Sequence, residues 1–380
     1  MRSGNKKQKK ERKNSLIRTA VYVLYVTLLV FAGLEIALRI YNPFHFRLKG
    51  ERIILPVSQK TTIYNKINPR LDSIVVNTRN AIGFRGPELP ARIADYLSII
   101  TVGGSTTECK FLNDNRTWPY LTDSILSRYF KSLWLDNAGL DGHSTYGHQV
   151  LLNDYLVRLH PKVITFLVGV NDIESDEPSF HDKLYVRGAY SDFGHFVLNN
   201  SEVINLMVNF QRGWRAQKLN NTTQKPVNLI RNYSLEIPDS VTAKRLANQR
   251  PYLARYHERL VQLVDTCLAN HIVPVLITQP DLFGSGLDSI SGVNLETFKI
   301  EPGLNGKLLW QILELYNDVT RLTCSQKDVF LVDLARLMPK NSQYFYDGSH
   351  FTNQGAQKVA SIVADRLLTF LNKEFPGYRK

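Results

Sequence analysis

Four short motifs in this 380-residue chain carry groups that could do acyl chemistry. Gly103-Gly104-Ser105-Thr106-Thr107-Glu108 places a hydroxyl directly after an apolar run. Asn137-Ala138-Gly139 and Gly169-Val170-Asn171-Asp172 offer amide donors. Asp347-Gly348-Ser349-His350-Phe351-Thr352 offers a carboxylate and an imidazole three residues apart. Taken singly, each reads as structure. Gly-Gly-Ser suits a tight turn or a phosphate-cradling loop. The two Asn motifs suit turns, and the last is a loop with Thr352 as helix N-cap. Together they meet the needs of acyl transfer. Ser105 is the candidate nucleophile and His350 the base that must lie within hydrogen-bond reach. Asp347 can hold the imidazole tautomer and stabilise the imidazolium. The Ser105 backbone N–H, the Gly139 backbone N–H and the Asn171 side-chain amide are candidate oxyanion donors. Glycine at 139 lets the backbone approach closely.

These motifs need elements to position them. Tyr96–Val102, a β-branched run, Ser132–Asp136, Val163–Val168, Ile272–Thr278 and Val329–Asp333 are continuous apolar runs. Such runs suit strands buried on both faces of a parallel sheet. Helical patterns lie between and after them, at Thr117–Phe130, Ser144–Leu159, Asn305–Ser325 and Thr352–Asn372. The alternation predicts an α/β fold with a five-stranded parallel sheet. Three of the four motifs directly follow apolar runs, and the fourth comes some way after the fifth run. Beyond the carboxyl ends of the strands is where an open parallel sheet collects its chemistry. The stretch from about 174 to 240 breaks the rhythm and reads as an insertion. It carries four of the five Asn-x-Ser/Thr sequons, at Asn199, Asn220, Asn221 and Asn232; the fifth is at Asn115.

Ser105, Gly139, Asn171 and the Asp347-x-x-His350 pair, in that order, resemble the four blocks of the SGNH (GDSL-like) hydrolase superfamily. The resemblance covers roughly residues 94–372. It implies a flavodoxin-like α/β/α sandwich, a serine nucleophile after the first strand, ester, thioester or O-acyl chemistry, and neither metal nor cofactor. One position departs from the pattern: the family's Gly-Asp-Ser is here Gly103-Gly104-Ser105. The Gly-Gly-Ser-Thr-Thr-Glu variant behind an N-terminal anchor is similar to membrane-bound bacterial members acting on envelope or secreted polysaccharide. The resemblance therefore implies a serine esterase or deacetylase acting on O-acyl, above all O-acetyl, esters. The partner is then an acylated small molecule or carbohydrate. An O-acyltransferase would use the same acyl-serine, and a non-catalytic scaffold could keep the fold. An α/β-hydrolase fits less well, because Thr107 occupies the last glycine of its G-x-S-x-G elbow. A nucleotide-binding loop lacks the P-loop lysine.

Neighbouring residues carry competing readings. Glu108 can bind substrate or favour a helix N-terminus. Cys109 reads as a small buried thiol. Asp172 supports the Asn171 loop or forms a turn. His143 and His148 are structural or substrate-rim residues. Gln279-Pro280 lines a pocket or is plain loop, and Trp118 reads as packing rather than a sugar platform.

The net charge of +13 invites a nucleic-acid reading, but its location argues against one. Residues 1–18 hold eight basic side chains against Glu11 alone. The uncharged run Thr19–Leu34 follows, and extending it to Leu16 and Leu38 gives 23 residues. About 20 apolar residues span a bilayer. A core helix and a cleaved signal peptide are the alternatives. The reading is a basic cytoplasmic tail over 1–15, a transmembrane signal-anchor over 16–40, a packing stalk over 41–93 and a hydrolase-like domain over 94–375. The positive-inside rule leaves the tail in the cytoplasm and the domain outside it, as a single-pass protein. The bilayer, rather than nucleic acid, is then the partner of the basic tail. Three cysteines without metal spacing exclude a disulfide scaffold and a zinc ribbon.

Overall fold

The computed structural model describes residues 2–41, 48–49, 52–53, 55–65, 68–177, 194, 196–197, 200–218, 227–229 and 233–380; the side chains of 2–13, 48–49, 52–53, 209 and 212–218 are left aside. The chain divides into two compact units, Met1–Ile54 with Arg187–Asn221 and Leu55–Val186 with Thr222–Lys380.

Helix α1 (Arg2–Ile40) belongs to the smaller unit. Within its segment Asn14–Ile40 the most apolar stretch has a mean hydropathy of 2.2 and no buried residue, so it is not a buried core helix of this chain. It is long and apolar enough to cross a membrane.

In the larger unit, β1 (Gln59–Tyr64) and β2 (Ile74–Arg79) form an antiparallel hairpin. Strand β3 (Leu97–Gly103) leads into the single turn α2 (Ser105–Glu108). Helix α3 (Trp118–Leu126) follows, capped by the Thr117 hydroxyl, which accepts from the Tyr120 N–H. Then come β4 (Leu133–Asn137), α4 (Thr145–Leu151) and β5 (Val163–Val168). Beyond α4 the helix widens into a π-turn over Leu152–Leu156. Helix α5 (Glu202–Lys218) belongs to the smaller unit. The chain closes with α6 (Arg250–Ala269), β6 (Val273–Thr278), α7 (Gly306–Lys327), β7 (Phe330–Val332) and α8 (Asn353–Glu374). Asn305 and Thr352 cap α7 and α8 through their side chains. Much of the expected insertion, including Asn199, Asn220, Asn221 and Asn232, lies outside the described residues.

The five expected strands pair all in parallel, in the order β7-β6-β5-β3-β4. Counted by appearance in the sheet this is 2-1-3-4-5, the flavodoxin-like order. Every residue of β3 and β5 is buried, as a strand covered on both faces requires. Strand order reverses between β3 and β5, so the crevice beyond their carboxyl ends is the topological switch point. The loops that leave these two strands carry Ser105 and Asn171.

Candidate active site

Ser105 is the first residue of α2, and its own N–H has no acceptor within that helix. The turn is tight: the Thr107 and Glu108 N–H groups both donate to Gly104 O at 3.0 Å. Cys109 ends it in a left-handed conformation, φ 52°. That conformation costs a non-glycine residue about 1–2 kcal/mol. Arg85 offsets the cost by donating to Glu108 O at 2.8 Å and Cys109 O at 2.7 Å. It also bonds Leu112 O and pairs with Asp114 at 2.7 Å.

Glu108 does not face an open substrate space. It pairs with Arg79 at the end of β2, and its second oxygen accepts from the Asp141 N–H at 2.8 Å. One carboxylate thus joins the hairpin, the Ser105 turn and the loop after β4. Trp118 is fully buried and donates from Nε1 to Thr106 O at 3.0 Å. The Thr106 hydroxyl donates to Gln279 Oε1 at 3.2 Å, so Gln279 supports the turn from β6. Gly104 packs directly against the Asn171 amide. A Cβ there would lie 2.2 Å from Asn171 Nδ2, so a side chain at this position would displace the Asn171 amide.

His350 Nε2 lies 2.7 Å from Ser105 Oγ, and His350 Nδ1 lies 2.7 Å from Asp347 Oδ2. The other Asp347 oxygen accepts from the His350 and Ser349 N–H groups at 2.7 and 3.0 Å. Tyr346 stacks on the imidazole, centroids 5.6 Å apart and planes 16° apart. With Nδ1–H donating to Asp347, Nε2 is free to accept the serine proton.

The Asn171 amide donates to His143 O at 2.9 Å, which fixes it against Gly104 and leaves its second N–H available. Asp172 braces this turn. It accepts from the Thr145 hydroxyl at 2.6 Å and from Arg259 at 3.1 Å, both buried. Gly139 behaves differently from the other two expected donors. Its N–H donates to Asn137 Oδ1 at 2.8 Å, while Asn137 Nδ2 donates to Thr107 O at 2.8 Å. Its lack of a side chain serves close packing: a Cβ would lie 2.4 Å from the Glu108 nitrogen.

Burial pushes the Cys109 thiol up to about 12, so it is no thiolate nucleophile beside Ser105. His143 and His148 are buried, their rings 6.3 Å apart. A small pocket, of about 10 Å³, opens beside Ser105 and His350, walled by Cys109, Phe111, Leu112, Tyr346 and Phe351. Among the described residues, no group of three or more His, Cys, Asp or Glu is placed to hold a metal.

Three supporting residues escape motif reading. Arg79 and Arg85 come from the Pro-punctuated segment ahead of β3. Asp281 is buried two residues after Gln279, near Gly348 of the His350 loop, and the Leu282 N–H donates to Gly348 O at 2.7 Å. Burial raises the Asp281 carboxyl. The visible signal for it was its place just past the end of a strand.

Solved structures similar to this chain include an alpha/beta hydrolase enzyme from the metagenome of Lake Arreo, at 15% identity, covering 71% of this chain and 95% of that one, with a TM-score of 0.40. An acetylxylan esterase from Geobacillus stearothermophilus shares 12% identity over 71% and 93% of the two chains, TM-score 0.41. A GDSL-like lipase from Bacteroides thetaiotaomicron shares 11% over 76% and 93%, TM-score 0.38. No curated protein matches the chain. The GDSL-like Lipase/Acylhydrolase family matches residues 100–358. That span is more than half of the chain, from the middle of β3 into α8, and the chain belongs to this family of ester-cleaving enzymes.

Proposed function

We propose that the protein is a membrane-anchored serine esterase that removes short O-acyl groups, above all O-acetyl. The carrying observation is the relay from Asp347 through His350 to Ser105, with both contacts at 2.7 Å. Ser105 Oγ gives its proton to His350 Nε2 as it attacks the ester carbonyl, and Asp347 stabilises the imidazolium. The Ser105 N–H and the second Asn171 N–H receive the oxyanion. Gly139 joins them by exchanging Asn137 Oδ1 for the substrate oxygen. His350 then passes its proton to the leaving alcohol, and water, activated by the same imidazole, releases the acid from the acyl-serine. The small apolar pocket favours a short acyl chain.

Helix α1 serves as a retained anchor, with the basic tail in the cytoplasm and the hydrolase domain outside it. Its retention is supported by Glu35, which accepts from the Glu202 and Val203 N–H groups at the start of α5. Removal of α1 would strip that cap. An anchored enzyme outside the cytoplasm meets acylated envelope or secreted carbohydrate, which is the proposed substrate class.

The test compares p-nitrophenyl acetate and octanoate with the full chain, with Ser105→Ala and with His350→Ala. Acetate should be preferred and both substitutions should abolish turnover. Preference for octanoate would refute the short-acyl reading. An undiminished Ser105→Ala would refute the serine mechanism, and an inactive folded wild type would favour the scaffold reading.

A further inference from the structure

We infer that α5 lies on the outer surface of the bilayer, its exposed apolar side chains embedded in lipid beside α1. This rests on the reading of α1 as a retained anchor. The observation that starts the argument is the position of Glu35. It stands one residue past the uncharged run of α1, where a carboxylate must find water or donors. It finds donors. Its oxygens accept from Ser201 Oγ at 2.9 Å, Glu202 N at 3.0 Å and Val203 N at 3.2 Å. Arg39 pairs with it at 2.9 Å and also bonds Asn200 O. The first turn of α5 is therefore fastened to α1 at the level where the apolar run ends. With Leu16 and Ile17 beyond Arg18 added, the run to Leu34 is about as long as the hydrocarbon layer needs, so the level is the membrane–water interface.

The exposed side chains of α5 suit that depth. Met207 and Phe210 stand three apart, hence on one helix face, and are 60% and 55% exposed. Phe196, just upstream, is 64% exposed. The α5 sequence also carries Arg212, Arg215, Lys218 and Trp214 against the single acid Glu202. Aromatic and aliphatic residues interleaved with basic ones are the composition of a helix lying in the interface and attracted to anionic headgroups. Lipid is the occupant rather than a second protein surface, because the patch is fastened to a helix whose own exposed Leu28, Leu29, Val30 and Leu34 already require it.

The test uses the full chain in phosphatidylcholine–phosphatidylglycerol vesicles. A fluorophore is attached at Phe210→Cys or, in the anchor, at Val26→Cys; Cys109, Cys267 and Cys324 are all buried. Brominated acyl chains quench a lipid-embedded label, and aqueous iodide quenches a solvated one. The expected result is loss of emission at both positions with brominated lipid and none with iodide. Quenching at 210 by iodide alone, or by neither agent as under a protein partner, while 26 is quenched by bromine, overturns the inference and leaves the anchor standing. If 26 escapes bromine as well, the anchor reading fails and takes this one with it.

Discussion

Replacing Gly139 with alanine probes the packing of the loop after β4 against the Ser105 turn. Gly139 does not have a positive φ, so alanine is conformationally allowed and the effect is purely steric. The new methyl would lie 2.4 Å from the Glu108 nitrogen, 2.7 Å from the Thr107 carbonyl carbon and 2.9 Å from Asn137 Oδ1. Ordinary contact begins at 3.4 Å, so loop and turn must part by roughly 1 Å. The two nearest atoms are backbone and cannot rotate aside. Overpacking of this kind costs about 1–3 kcal/mol of stability. A misplacement of about 1 Å at a reacting centre costs on the order of 10²-fold in rate. The assay is kcat on p-nitrophenyl acetate with Tm measured alongside. Gly377→Ala serves as control, since nothing lies within 4 Å of a methyl there. A folded Gly139→Ala that keeps its full rate and its Tm would show that the turn does not depend on this contact.

Two further outcomes follow from buried charge. Arg259→Met removes the guanidinium held 3.1 Å from the buried Asp172 carboxylate. It should cost about 3–5 kcal/mol in urea unfolding and lower kcat through the adjacent Asn171; an unchanged midpoint would contradict this. Asp136 is held protonated by burial, its pKa raised to about 7 against bonds from the Asn137 N–H and the Asn80 amide, which lower it. The folded state then keeps a proton that the unfolded state releases near 3.8. This contribution is full at low pH and declines, by up to about 1.4 kcal/mol per unit, as pH rises towards 7. Asp136→Asn should flatten that part of the stability–pH profile, and an unaltered slope would contradict the assignment.

The sheet was legible because its strands are short continuous apolar runs, and all five expected runs became parallel strands shifted by at most a residue or two. The cap at Thr352 was legible because a capping hydroxyl acts on its own helix. Ser105, Asn171, Asp347 and His350 stood out because each belongs to a short local motif, and the structure brings these four together. Asp172 apart, what supports them was not legible, for the opposite reason. Arg79, at the end of the hairpin, and Arg85, just after it, reach the Ser105 turn from 20 or more residues upstream, and no local pattern announces that contact. The engagement of the Gly139 N–H by Asn137 depends on side-chain rotation that spacing does not encode. Helix α6 begins on Arg250-Pro251 with no side-chain cap, so its start carried little signal. Glu35 looked like a stray charge at the end of an apolar run until α5 supplied its partners.

Ser105 as the nucleophile, activated by His350, is tested most directly by its own reactivity. A fluorophosphonate reacts covalently with an activated serine, and peptide mass spectrometry locates the adduct. The account predicts a single adduct on Ser105 in the folded full chain, lost in Ser105→Ala and formed far more slowly in His350→Ala. An adduct on another residue, or none in folded protein, would contradict it.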